Sequence, residues 1–268
     1  MSPPAVILAR GLGSRMRRAD TSVRLDTEQT RAASEGAKPM MPVGRPLLEH
    51  SLTALADAGT REVVLVIGPE HRSVREHFIA HPARRLRIRF AEQRAPLGTA
   101  DAVCAAQDAV GDREFIVLNG DTWYPPEAIR AVAAAPAPAF GAFDASTLTH
   151  QGNIPAERVL AFALCSIDET GALREIIEKP AADHPLARCA QRRVSMNLWH
   201  LDASVFAVLS RVQPSVRGEL ELVDGIRLQL AAGTRVTAVP LALGLLDLSI
   251  RGDVASVTAR LAAHAVDY

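Results

Sequence analysis

Lys38 and Lys179 are the only lysines in this chain, each is followed directly by proline, and the other 28 of the 30 basic side chains are arginine. An ammonium group is a compact point charge on a flexible stem and can slip between phosphate oxygens, where a planar guanidinium fork needs a wider partner. Two lysines that both precede proline by accident is about a one-in-400 event at the usual frequency of proline. Both are therefore candidate phosphate ligands. A third candidate lies in the turn Gly11-Leu12-Gly13-Ser14-Arg15, which follows an apolar run at residues 5–9. Glycines let main-chain N–H groups approach an anion, and Arg15 adds a fixed charge. By itself this glycine pair also suits a ligand-free capping turn, and a dinucleotide fingerprint would need Gly or Ala where Met16 stands. Asn119-Gly120-Asp121 closes another apolar run and puts a carboxylate where a hydrated cation could meet phosphates, although a lone aspartate there is also an ordinary turn residue.

The elements that must position these groups alternate. Residues 5–9 read as a buried strand, 47–58 as an amphipathic helix closed by Gly59, and 62–67 as a second buried strand. A strand over 85–90, a helix over 99–110, a strand over 115–118 and a helix over 125–135 follow. Such alternation predicts a mostly parallel mixed sheet with helices on both faces, a Rossmann-like α/β/α arrangement that binds ligands at the carboxyl ends of its strands. In the second half, 159–167 and 173–178 read as a hairpin turning at 168–171, and 196–201 and 235–240 as strands. Helices are expected at 203–209, 219–232 and 252–263. Residues 131–138 read as a loop or helix end, and the polar, aperiodic stretch 19–36 as the most mobile segment. The expectation is one domain over 1–268, with a division between 1–135 and 136–268.

Composition narrows the partners. Thirty acidic and 30 basic residues give a formal charge of zero, so no basic field points to nucleic acid and the partner should be small. Cys104, Cys165 and Cys189 are odd in number and far apart, which fits neither a disulfide framework nor a zinc site and suits a reducing cytoplasm. No stretch approaches the roughly 18 apolar residues of a membrane span, and the run at 5–9 is too short for a signal peptide. His77 and His81 share a helical spacing but have no third ligand, so both are expected in solvent.

Gly11, Gly13, Ser14, Arg15, Lys38, Pro39, Pro42, Val43 and Pro46 together resemble the opening pattern of the sugar-phosphate nucleotidyltransferases, and the resemblance extends along nearly the whole chain. It implies a nucleotide site at Leu8, Gly11, Gly13 and Ser14, with base reading by Gln93, Gly98 and Thr99. It implies that Glu178, Lys179 and Asn197 hold a sugar phosphate, and that Arg15, Lys38, Asp121 and Lys179 serve catalysis. Mg²⁺ would be held by Asp121 and by Asp247, which aligns with a late family aspartate although the usual neighbouring tryptophan is absent. The stretch Arg217-Gly218-Glu219-Leu220-Glu221 also resembles a family pattern but makes an ordinary capped helix. The implied substrates are a nucleoside triphosphate and a sugar or cyclitol 1-phosphate. Uridylyl or thymidylyl transfer is the first reading, with guanylyl transfer or a catalytically idle nucleotide-sensing subunit as alternatives; a nicotinamide oxidoreductase has little support. A homo-oligomer is compatible with the sequence, and the length leaves no room for the left-handed β-helix of bifunctional members.

Three features depart from the family. Arg10 stands where a small residue is usual and would add a phosphate contact or crowd the loop. Arg15 and Lys38 are 23 residues apart, about a dozen more than is common, and the extra length at 19–36 could form a lid. Phe162-Ala163 replaces a common Tyr-Gly pair, which would alter the sugar-facing backbone.

Overall fold

A computed structural model describes residues 2–11, 13–18, 20 and 22–268; Leu12 of the glycine turn and Ala19 and Thr21 of the polar stretch lie outside the described residues. The chain opens with β1 (Ala5–Leu8), α1 (Ser14–Arg17), α2 (Thr27–Glu35) and a 3-10 turn at Lys38–Met40. A two-strand ladder, β2 (Pro42–Val43) and β3 (Arg45–Pro46), feeds α3 (Leu47–Asp57). The alternation continues with β4 (Glu62–Ile67), α4 (Arg72–Ala80), β5 (Arg87–Glu92), α5 (Thr99–Ala105), α6 (Gln107–Val110) and β6 (Phe115–Asn119). Next come β7 (Thr122–Trp123), α7 (Pro126–Ala134), β8 (Ala139–Asp144), α8 (Ala145–His150), a 3-10 stretch at Ala156–Ala161, β9 (Ala163–Ile167) and β10 (Leu173–Glu178). The remainder is α9 (Pro185–Arg188), β11 (Arg193–Leu201), α10 (Ser204–Leu209), α11 (Leu222–Ala231), β12 (Thr237–Leu241), β13 (Leu246–Asp247) and α12 (Asp253–Leu261).

Nine strands build one mixed sheet in the order β10-β9-β11-β6-β1-β4-β5, with β8 paired to both β11 and β12. β1 lies parallel to β4 and β6, and β4 to β5, whereas β11 runs antiparallel to β6, β8 and β9. Parallel strands need covering on both faces, and the sequence supplies it by alternation. Ile7 and Leu65 enter one core with Leu48, Leu52 and Leu55 of α3 and Ile129 of α7. Val6, Val64 and Val66 enter the other with Val103 of α5, Phe206 of α10 and Ile226 of α11. The result is the three-layer α/β/α arrangement, with β1 and β6 opening side by side at their carboxyl ends.

Several boundaries differ from those expected. The helix over 99–110 breaks at Ala106 into α5 and α6, and residues 159–161 form 3-10 structure before β9, whereas residues 131–134 close α7 in line with the helix-end reading. Strand β8 was not anticipated because Ala-Phe-Gly-Ala-Phe-Asp is poor in β-branched residues; its burial, with five of six residues inaccessible, holds it in the sheet. His77 is not free in solvent: its Nε2 lies 2.7 Å from Oε1 of the fully buried Glu49, which also takes a bond from Arg45.

The largest correction concerns residues 19–36, read as aperiodic and mobile. Half of the stretch is α2, opened by a capping box in which Asp26 Oδ1 accepts from the Gln29 N–H at 2.8 Å and Gln29 Oε1 accepts from the Asp26 N–H at 3.2 Å. Its buried face consists of Ala32 and Ala33, too small to register as an apolar stripe. These alanines seat on a third cluster containing Met16, Met41, Leu248 and, from α12, Val254 and Val257. This part of the extra length is docked rather than free to act as a lid.

Candidate active site

A cavity of about 530 Å³ opens at the carboxyl ends of β1 and β6. Leu8 lines it from the end of β1, Gly11, Gly13, Ser14 and Arg15 from the glycine turn, Lys38 from the 3-10 turn, and Gln93, Gly98 and Thr99 from the β5–α5 connection. Asn119 and Asp121 contribute from the end of β6, and Lys179 and Asn197 from the ends of β10 and the middle of β11. Both lysines, 141 residues apart in the chain, thus face one space. Of the expected site residues, only Glu178 and Asp247 are absent from its walls.

Local geometry explains the placement. Gly13 has φ 58°, and a Cβ there would stand 2.6 Å from the backbone of Gly36, the residue that caps α2. That close approach presses the end of α2 onto the glycine turn, and two residues later Lys38 enters the cavity with its N–H bonded to Gly36 O at 2.9 Å. Gly98, at φ 127°, is needed for the same reason, since a Cβ would meet the Leu220 backbone at 2.4 Å. Lys179 (φ 48°) and Asn197 (φ 57°) are the only non-glycine residues with positive φ among the described residues, and both line the cavity. Such conformations carry strain and persist where the surroundings over-determine them, commonly at functional sites. Asn197 Nδ2 lies 3.4 Å from Asn119 Oδ1, and its own Oδ1 accepts from Trp199 Nε1 at 3.3 Å.

The polar groups are largely committed to one another. Lys38 Nζ pairs with Asp121 Oδ2 at 2.8 Å, its side chain nearly buried while that of Lys179 is 38% exposed. Gln93 Nε2 donates to Gly98 O at 3.0 Å and to Asp101 Oδ2 at 2.8 Å, leaving its buried Oε1 without a partner. The Thr99 hydroxyl accepts from the Leu222 N–H at 2.8 Å and so starts α11. Arg10 gives no free guanidinium to the loop: it pairs with Glu70 at 2.9 Å and donates to Gln93 O at 2.5 Å.

The two remaining acids stand just behind the wall. Asp247 is buried beside Asp121: β13 pairs with β7, the Leu248 N–H donates to Asp121 O at 2.9 Å, and Arg158 bonds the Asp247 carboxylate at 3.2 Å. Burial, and then the charge of Asp121, push the Asp247 carboxyl up to about 6. Glu178 lies 3.7 Å from Lys179 Nζ and 3.9 Å from Arg217, and burial followed by repulsion from Glu221 raises it to about 7. Arg217 and Glu219 also line the cavity, which gives the stretch 217–221 more than the helix-capping role read from its pattern. The signal was an arginine among acids, which it holds from the exposed turn ahead of α11; Arg217 bonds Glu221 and reaches Glu219 at 3.6 Å.

A family model described as nucleotidyl transferase matches residues 30–244. The chain belongs to the nucleotidyl transferase family. Among its relatives, the low-salt glycan biosynthesis nucleotidyltransferase Agl11 of Haloferax volcanii is 28% identical over 85% of this chain and 57% of its own length. UTP–glucose-1-phosphate uridylyltransferase AglF of the same organism is 26% identical over 93% of this chain and 92% of its own. A glucose-1-phosphate thymidylyltransferase of Streptomyces griseus is 25% identical over 87% of this chain and 58% of its own, so the chain spans little more than half the length of some relatives it matches. The crystal structure of a UDP-glucose pyrophosphorylase complexed with UDP-glucose superposes with a TM-score of 0.76 at 16% identity, covering 98% of this chain and 99% of that one. The nucleotidyl transferase fold is thus shared at the level of the whole sheet. Among the described residues, no helix is long and apolar enough to cross a membrane.

Proposed function

We propose that this nucleotidyl transferase moves a nucleoside monophosphate from a nucleoside triphosphate to a sugar or cyclitol 1-phosphate, releasing pyrophosphate. The observation that carries the reading is the convergence of Lys38, Lys179 and Arg15 on one cavity. The two reactants bring about six negative charges, so their repulsion is the first barrier to be screened. In this reading Leu8, Gly11, Gly13 and Ser14 receive the nucleotide, Arg15 and Lys38 stabilise the departing pyrophosphate, and Lys179 holds the attacking phosphate with Asn197 and Glu178 near the sugar. Residues 1–135 serve the nucleotide and 136–268 the sugar phosphate.

A phosphate oxygen of the sugar phosphate attacks the α-phosphorus, forming one P–O bond as the bond to pyrophosphate breaks. The nucleophile is already ionised, so no general base is required, and none of the described histidines lines the cavity. Positioning and electrostatic stabilisation supply the rate. Asp121 and Asp247 suit Mg²⁺ as hard oxygen donors; burial and then the Asp121 charge raise the Asp247 carboxyl, and a divalent cation would offset the second of these. Phosphate oxygens and water would complete the shell around the ion. When bound, the ion supplies charge neutralisation at the phosphates. To bind it, Asp121 must release Lys38, and Asp247 must turn from Arg158 toward the cavity.

In this reading Gln93 selects the base. Its lone unpartnered Oε1 asks for an N–H donor, which the imide of uracil or thymine provides. Guanine also presents such an N–H, and guanylyl transfer is the second reading on that observation. Scoring pyrophosphate release for each nucleoside triphosphate against a panel of sugar 1-phosphates decides between them. Activity should require Mg²⁺ and be abolished in Lys38→Ala; normal turnover by that variant would defeat the assignment. Nucleotide binding without turnover across the panel would indicate a sensing subunit instead.

A further inference from the structure

Arg10 is where this chain parts from the usual pattern, and three observations surround it. Its guanidinium is pinned by two bonds to Glu70, Nε to Oε1 at 2.9 Å and Nη2 to Oε2 at 3.1 Å. Nη1 crosses to the carbonyl of Gln93 at 2.5 Å, 83 residues along the chain. The third observation is Gly68, which lies beneath the pair: a Cβ there would stand 2.3 Å from Arg10 Nε and 2.4 Å from Glu70 Oε2. A bare glycine is thus the residue that lets an arginine from the end of β1 and a glutamate following β4 meet above it.

We propose that Arg10 is a positioning residue for nucleobase recognition, acting through Gln93. The Gln93 amide nitrogen is fixed by Gly98 and Asp101, and the Gln93 N–H by Ile67 O at 2.9 Å. The Arg10 bond to the carbonyl fixes the backbone of that residue, so its buried Oε1 is held at one position behind the cavity wall. The arginine side chain is only 7% exposed, whereas Glu70 is 49% exposed, so the carboxylate anchors the arginine from the solvent side. A guanidinium has five N–H groups, and three are used here; Arg10 itself lines the cavity. Its first role is to hold the reader rather than to read.

The inference rests on the nucleotidyl-transfer reading, and titration calorimetry of the intact protein separates the two. Wild type is titrated with UTP, dTTP, GTP and ATP in Mg²⁺, and kcat and KM are measured for the preferred pair. Arg10→Ala should weaken binding of the preferred triphosphate by about tenfold, the order set by a charge-assisted hydrogen bond, and should narrow its preference over the other bases. KM for the sugar phosphate should stay unchanged. Glu70→Gln, altering a half-exposed group, should reproduce part of the effect, and adding Glu70→Gln to Arg10→Ala should cost nothing further. A merely structural role would lower the melting temperature and leave the base preference intact. Unchanged affinity and preference in Arg10→Ala, with wild-type binding seen, would overturn the inference alone. Absence of triphosphate binding by wild type would remove both readings.

Discussion

Glu178 shows how a single carboxyl can report on this cavity. Burial and the neighbouring Glu221 lift it from an ordinary 4.5 to about 7, so between those values the folded protein keeps a proton that the unfolded chain has released. Its ionisation therefore costs stability as pH rises through that window. Glu178→Gln should flatten the fall in melting temperature between about pH 4.5 and 7, as read by calorimetry, with Asp247 and Glu221 leaving a residual slope in the same direction. Identical slopes in the two proteins would contradict the assignment. At this scale the sequence was most readable where residue type was restrictive: scarce lysines, glycines at a turn, an aspartate ending an apolar strand. Arg10 and Arg217 were less readable because arginine is common here and its role depends on which acid it meets. Glu70, 60 residues from Arg10, carries no local mark of that pairing.

Among the elements, α2 has the most to teach. Its start was written in Asp26-x-x-Gln29, yet the absence of large apolar residues hid the helix, because Ala32 and Ala33 let it approach its neighbours closely instead of filling space. Asp26→Ala removes the side-chain cap and should cost about 1 kcal/mol of stability, measured by denaturant unfolding. If α2 also braces the glycine turn through Gly36 and Gly13, the same variant should weaken triphosphate binding; a pure surface helix would lose stability only. The strands β1, β4 and β6 were legible because burial on both faces demands continuous apolar runs. Strand β8 was not, since alanine and glycine owe their place in the sheet to neighbours far along the chain.

At the scale of the molecule, the cavity joins two kinds of sheet. The parallel strands β1, β4 and β5 bring the glycine turn and Gln93, while the antiparallel strands β10 and β11 bring Lys179 and Asn197. Hydrogen exchange should follow that division. A nucleoside triphosphate should protect residues 11–16 and 93–100, and a nucleotide sugar should add protection at 178–180 and 215–221. Protection confined to the first set with both ligands would refute a site spanning the sheet. The fold class was legible from strand and helix alternation, whereas the antiparallel insertion of β11 beside β6 was not, because long-range pairing leaves no periodic trace. One consequence reaches beyond catalysis. Every side-chain amine in this protein opens onto the same cavity, one shielded by an aspartate and one half open to water. Acylating reagents that elsewhere scatter over a surface have no harmless target among these side chains, so covalent labelling doubles as a titration of the cavity, with Lys179 reacting first and bound phosphates slowing it.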